Sequence, residues 1–238
     1  MCGRFTITVD RIEIILEKFK AELAPKFTEY KPRYNAAPGQ VVAAVVSKEG
    51  KRYLTNVLWG LVPPWGEKQG GLIHQANIRD DTIQRNKFFA NRLLHNRCVF
   101  VVDGFYEWKL PEGFSHLPRG ERLPKGVHKT PYRIILKDRS LFSLAGLWRT
   151  ISYHDETILT AGIITTSPND LMKTIHPRMP VILDETGLDR WLNPSDESYQ
   201  DLIQLLRPYP AEEMNAYVVS PIVNNSRNDS PRCLEPAV

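Results

Sequence analysis

Cys98-Val99-Phe100-Val101-Val102-Asp103-Gly104-Phe105-Tyr106-Glu107-Trp108 decides the fold class. Its first half is a continuous apolar run, not an alternation. Such a run suits a strand covered on both faces, or one inside a barrel. Residues 132–137, 141–147 and 158–166 read the same way. Residues 41–47 and 53–59 are β-branched or aromatic, are separated by Glu49-Gly50, and predict a hairpin. Residues 215–220 read as a late strand. Helices are fewer. Asp10 can cap a helix whose apolar residues are Ile12, Ile15, Leu16, Phe19 and Leu23. Residues 83–94 read as helix with an interruption near Asn86. Two more helices are predicted at 185–192 and 198–206, the latter capped by Ser195 or Asp196. Residues 109–131 are rich in Pro and Gly and are flanked by strands, so they read as a long loop between two paired strands. The expected fold is α+β: a single domain over 1–238 with a mostly antiparallel, β-barrel-like core and peripheral helices.

Composition narrows the function classes. The chain has 238 residues, 42% hydrophobic and 24% charged, which excludes a disordered chain and a coiled coil. The formal net charge of +4 is compatible with an anionic partner without requiring one. Cys2, Cys98 and Cys233 lie far apart with no CxxC pair, so no zinc site and no other metal or cofactor is expected. Charges at Arg4, Asp10 and Arg11 leave no secretory h-region. The longest apolar runs, such as 41–46, fall short of the roughly 18–20 residues that span a bilayer. These features predict a reducing cytoplasmic or nuclear compartment and no membrane. No Walker loop, GxGxxG, HExxH or GxSxG pattern is present.

Several residues can carry chemistry. The chain opens Met1-Cys2-Gly3-Arg4, and a small second residue favours removal of the initiator Met. Cys2 would then hold an amine of pKa about 8 and a thiol of pKa about 8.5 on adjacent carbons, both partly nucleophilic near neutral pH. A 1,2-aminothiol suits aldehydes: the amine forms a Schiff base and the thiol closes a five-membered thiazolidine. The plainer alternative is a small buried residue in second place. Glu107, between aromatics at a strand end, is a candidate acid or base, or else an outward-facing carboxylate. Ile175-His176-Pro177-Arg178-Met179-Pro180 is stiffened by two prolines and can hold a proton-transfer imidazole beside an anion-binding guanidinium. Asn77-Ile78-Arg79 offers an oxygen-holding amide and a phosphate-holding Arg. Trp59-Gly60-Leu61-Val62-Pro63-Pro64-Trp65 offers an aromatic on a stiff loop. Trp59 reads as core and Trp65 as a platform for single-stranded nucleic acid.

These segments run in the order of a known family. Met1-Cys2-Gly3-Arg4, Tyr34-Asn35-Ala36-Ala37-Pro38, Trp59 to Trp65, Asn77-x-Arg79 and Arg97-Cys98 through Trp108 resemble the SRAP (SOS-response-associated peptidase) family of HMCES-like abasic-site processing proteins. So do Ala145-Gly146-Leu147-Trp148, Ile163-Ile164-Thr165-Thr166, the His176 cluster, and Val219-Ser220 with Val223-Asn224-Asn225. The resemblance implies binding of single-stranded DNA and covalent crosslinking to abasic sites, which shields the lesion. Cys2 would attack the ring-opened sugar aldehyde with its amine and then its thiol. Glu107 would shuttle protons, His176 would act on the sugar hydroxyl and in reversal, and Asn77 would position the amino terminus or the sugar. Arg4, Arg79, Lys87 and Arg178 would meet the DNA backbone, and Trp65 would pack at the lesion. The resemblance also implies autoproteolytic removal of Met1, peptidase or hydrolase activity, a lyase-like nick, action as a monomer, replication-fork components as partners, and a nucleoid or nuclear setting.

This chain departs from the family pattern in places. Ile78 stands where Ala is common and Asp81 where Glu is common, so the helix after Asn77 is expected to shift and Asp81 lacks an obvious partner. Gly66 replaces a second Trp, and Lys87 stands where some members have Arg. The 109–131 loop is longer than in compact members. Two other readings stay open on the residues alone. One is an N-terminal-nucleophile amidohydrolase or autopeptidase. The other is a non-catalytic single-strand binding module.

Overall fold

In the computed structural model, which describes residues 2–68, 71–114, 121, 123–193 and 197–237, the fold is built on two sheets. The strands are β1 (Arg4–Ile7), β2 (Arg33–Ala36), β3 (Val41–Lys48), β4 (Lys51–Trp59), β5 (Asn77–Arg79) and β6 (Arg97–Val102). They continue with β7 (Gly104–Lys109), β8 (Thr130–Leu136), β9 (Phe142–Tyr153), β10 (Glu156–Thr166) and β11 (Met214–Val218). Strands β10, β9, β6, β3 and β4 pair antiparallel in that order. A parallel pairing of Leu58 and Trp59 on β4 with Thr160 and Ala161 on β10 closes the ring. The result is a five-stranded barrel within an α+β domain. All six residues of β6 are buried, which is why that segment carries no polar alternation.

The second sheet is open, in the order β11-β8-β7-β1-β2. The amino-terminal strand β1 therefore lies inside it, with Arg4 opposite Tyr106 and Phe5 opposite both Phe105 and Ala36. Phe5 also reaches the barrel interior, 4.8 Å from the Trp59 ring centroid and 6.1 Å from that of Phe100. This aromatic cluster fuses the sheet to the barrel. Burial of three such side chains removes several hundred Å² of apolar surface from water.

Helices α1 (Ile12–Phe19), α2 (Asp80–Arg85), α3 (Lys87–His95), α4 (Asp170–Lys173), α5 (Glu185–Leu192) and α6 (Tyr199–Gln204) are peripheral. They bury Ile15, Phe19, Phe89, Leu93, Leu188 and Trp191. The carboxyl ends of α3 and α5 converge on the buried Arg97. Its guanidinium donates to the carbonyls of Leu93 (2.8 Å), Leu94 (2.6 Å), Trp191 (2.5 Å) and Asn193 (2.6 Å). These are the acceptors that a helix end leaves unsatisfied.

The predicted hairpin at Glu49-Gly50 is present, and so is the break at Asn86, whose Oδ1 accepts the Phe88 N–H at 2.9 Å and caps α3. The 109–131 segment joins two paired strands, with Lys109 opposite Thr130; its residues 115–120 and 122 lie outside the described residues. Three expectations need correction. Asp10 does not cap α1: the N-cap is Arg11, with no side-chain bond. Leu23 is not on that helix, because Lys20 turns the chain at φ 50° and leaves Leu23 exposed in a short strand. The last helix is shorter than predicted. Ser198 caps it in a capping box with Asp201, which takes the role given to Ser195 or Asp196; those two lie outside the described residues.

Candidate active site

Three residues far apart in sequence meet where β1 lies along β7. Cys2, just before β1, is fully buried, with Sγ 3.9 Å from the carbonyl oxygen of Arg4. Glu107 does not sit at a strand end or face outward: it lies within β7, flanked by β1 and β8, and only 2% of its surface is exposed. His176 follows α4 and brings Nδ1 to 3.9 Å from Oε1 of Glu107. Asn169 anchors that turn, capping α4 through the Met172 N–H (2.8 Å) and donating to the Tyr209 carbonyl (2.7 Å).

Electrostatics fit proton transfer. Burial pushes the Cys2 thiol well above its ordinary pKa, and the nearby Glu107 adds to the shift. Burial lowers the pKa of His176, Glu107 partly opposes this, and Lys129 lowers it further. The ring is therefore neutral at pH 7. Its Nδ1 lies 3.1 Å from the Arg178 N–H and 3.0 Å from the Arg178 carbonyl oxygen. The neutral ring accepts from the first and the imidazolium donates to the second, so Nδ1 can gain or lose a proton without being left unpartnered.

The cations expected on DNA fall into two kinds. Arg79 and Lys87 are exposed. Arg79 forks onto Asp81 (2.9 and 2.7 Å), which supplies the partner that Asp81 lacked in the sequence and holds its carboxyl down at about 2. Arg4 and Arg178 are bonded internally. Arg4 donates to Asn35 Oδ1 (2.9 Å) and the Val223 carbonyl (2.7 Å), with its guanidinium 5.8 Å from the Trp108 ring centroid. Arg178 donates to Asp80 (2.7 Å) and to the Thr165 carbonyl, tying the His176 loop to α2 and β10. Asn77 leaves its buried Oδ1 without a partner among the described residues, an arrangement that functional sites tolerate and cores avoid.

Trp65 is 49% exposed and stands edge-on to Phe88 and Phe89, at 5.4 and 6.1 Å between centroids. Sequence reading missed Phe88. Its signal was the Phe88-Phe89 doublet at the start of a helix, where one ring must face in and the other lies at the rim. At Gly66 a Cβ would stand 2.7 Å from the Ile73 carbonyl oxygen, so the close approach of that backbone leaves no room for a second Trp there. Ile78 is accommodated by Gly162, where a Cβ would meet the Ile78 side chain at 3.2 Å. All three cysteines are free and buried. Among the described residues no group of three or more His, Cys, Asp or Glu is gathered as a metal site would require, and no helix is long and apolar enough to cross a membrane.

Asn35 holds this region together. Its buried Nδ2 donates to the carbonyls of Val223 (3.2 Å), Asn225 (3.2 Å) and Asn228 (2.8 Å), while its Oδ1 accepts from Arg4. Asn35→Ala would leave the Asn225 and Asn228 carbonyls without this donor and take one acceptor from the Arg4 guanidinium, at a cost of about 2–3 kcal/mol. The midpoint of thermal unfolding, followed by circular dichroism, is expected to fall by roughly 5–10 °C. An unchanged midpoint would show that the 220–230 segment does not depend on this amide.

A buried Cys2 beside a buried Glu107 and His176 on a two-sheet frame defines a class, and the chain belongs to it: residues 1–226 match the family of SOS response associated peptidases (SRAP). Among its relatives, the abasic site processing protein YoaM of Bacillus subtilis (strain 168) is 39% identical over 236 residues, covering 99% of this chain and 98% of YoaM. The abasic site processing protein YoqW of the same organism is 37% identical over 236 residues, covering 99% of both. Abasic site processing protein HMCES of Rattus norvegicus is 29% identical over 273 residues, covering all of this chain and 76% of HMCES. A crystal structure of a Bacteroides thetaiotaomicron protein superposes with a TM-score of 0.78 at 24% identity, covering all of both chains, and shares the fold.

Proposed function

We propose that this protein captures abasic sites in single-stranded DNA by a covalent bond through Cys2 after Met1 is removed. The observation that carries the reading is the packing of a buried thiol, a buried carboxylate and an imidazole around the start of β1. The Cys2 amine attacks C1′ of the ring-opened deoxyribose, and water leaves to give an imine. The thiol adds to the imine carbon and its proton passes to the imine nitrogen, closing a thiazolidine with net loss of one water. A thiol held high by burial needs a base close by, and Glu107 supplies one. Glu107 also donates to the departing hydroxyl. Neutral His176 takes the proton of the C1′ hydroxyl as the ring opens and hands it to the departing O4′, and the reverse transfer serves in reversal. The unpartnered Oδ1 of Asn77 accepts from the amine or the sugar. Trp65 with Phe88 offers an aromatic rim for bases, while exposed Arg79 and Lys87 offer charge to phosphates. Arg4 and Arg178 reach phosphate only by giving up internal partners, so their first role is to hold the site.

The test is incubation of untagged, Met-trimmed protein with an oligonucleotide carrying one abasic site, followed by a denaturing gel and intact-mass analysis. The expected product is a denaturant-stable species at the summed mass less one water. Reversible binding with no such species would overturn the covalent reading and leave a binding module. A retained amino-terminal tag, which occupies the amine, is expected to block the product.

A further inference from the structure

An open cleft of about 870 Å³ adjoins the site, and the capture chemistry assigns no group of the DNA to it. One wall is the beginning of the 109–131 loop, with Lys109 and Phe114; the other runs from Pro168 through Lys173 to His176. His176 thus belongs both to this cleft and to the pair with Glu107, so the cleft opens onto the reacting centre. Strand alternation puts Lys109 on the same face of β7 as Glu107, about 7 Å farther along. Lys109 pairs with Thr130, so Lys129 stands at the opposite root of the loop, close enough to His176 to oppose its protonation. Lys173 is held only by an exposed ion pair with Asp170, a link that exchanges readily for another anion. Glu112 is the one acid among the cleft's lining residues.

We infer that this cleft binds the nucleotide next to the abasic sugar on the same strand, with its base against Phe114 and its phosphate between Lys109 and Lys129. The cleft has the two features a nucleotide needs, an aromatic and proline surface for a π-face and cations at the mouth for a phosphate. It also leads directly to the point where the sugar must sit. The inference rests on the proposed capture of abasic sites and adds a second contact that fixes the strand in register. The described start of that loop, residues 109–114, thereby gains a role.

The experiment measures reversible binding by fluorescence anisotropy to oligonucleotides bearing a tetrahydrofuran abasic analogue, which has no aldehyde and cannot crosslink. One oligonucleotide has the analogue at its centre; two others carry it as the 5′ or the 3′ terminal residue. Wild-type protein is expected to bind one of the truncated strands about tenfold more weakly than the centred one. Phe114→Ala should bind the centred strand about tenfold more weakly, lose nothing further on that truncated strand, and unfold at an unchanged temperature; Phe114→Tyr should restore binding. Lys109→Ala with Lys129→Ala should flatten the slope of log K against log salt by about 0.7. Wild-type affinity in Phe114→Ala, or an unchanged salt slope in the lysine variant, overturns the cleft assignment and leaves the capture reading standing. If wild-type protein neither binds the analogue nor crosslinks to an aldehyde-bearing strand, the capture reading falls and the cleft assignment with it.

Discussion

Cys2→Ala is expected to abolish the denaturant-stable DNA adduct entirely while leaving reversible affinity within a few-fold of wild type. The substitution removes only a thiol. The alanine amine can still form an imine, but that linkage hydrolyses when the protein is denatured, because no sulfur closes the ring. The side chain is small and wholly buried, so the variant loses little packing; thiol to methyl costs about 1 kcal/mol at such a site. The measurement is adduct yield on a denaturing gel beside anisotropy with the aldehyde-free analogue. Adduct at wild-type yield would move the nucleophile to another residue. Borohydride sharpens the result: reduction should trap the alanine variant's imine as a stable amine, which shows that the first step survives without the second.

Glu107→Gln is expected to slow adduct formation by about 10²–10³-fold, within the range that a positioned acid or base contributes. Glutamine keeps the shape of the side chain between β1 and β8 and removes its capacity to exchange protons. The variant carries a second signature in its pH dependence. The Glu107 carboxylate favours the imidazolium of His176 against a burial effect that disfavours it. Removing that charge lowers the His176 pKa further, so the limb of the rate profile that reports loss of neutral His176 should move to lower pH. Single-turnover rates between pH 5 and 8 test both effects. A wild-type rate with an unmoved limb would assign the proton transfers elsewhere, whereas a slow rate with a moved limb places Glu107 and His176 in one coupled system.

Much of the frame was legible because it is local. The apolar run from Cys98, the Glu49-Gly50 turn and the break at Asn86 each depend on a handful of neighbouring residues, and each appears where expected. The failures were also local but depended on backbone angles the sequence does not display. Lys20 adopts a left-handed conformation that ordinarily calls for Gly or Asn, so nothing in the sequence announced that Leu23 would leave the helix. The chemistry of Cys2, Glu107 and His176 was readable from residue type, but their meeting was not. It depends on β1 pairing with a strand a hundred residues away, and no periodicity encodes that partner. The burial of Glu107 follows from the same pairing. The cleft beside His176 escaped notice for a related reason: its walls come from segments about sixty residues apart, each of which alone reads as an unremarkable loop.

The interior position of β1 has a consequence for how the protein is made. The strand cannot take its place until both neighbours exist, and β7 ends at Lys109. At about 5–20 residues per second, the amino terminus trails free of the growing chain for roughly 5–20 s before its slot can form. After that, the Cys2 side chain is packed into its slot. An aminopeptidase working at the ribosome meets a fully extended end during that interval. Order of synthesis thus sets a window in which Met1 can be trimmed from an unfolded end, before the thiol beside it is packed into the sheet.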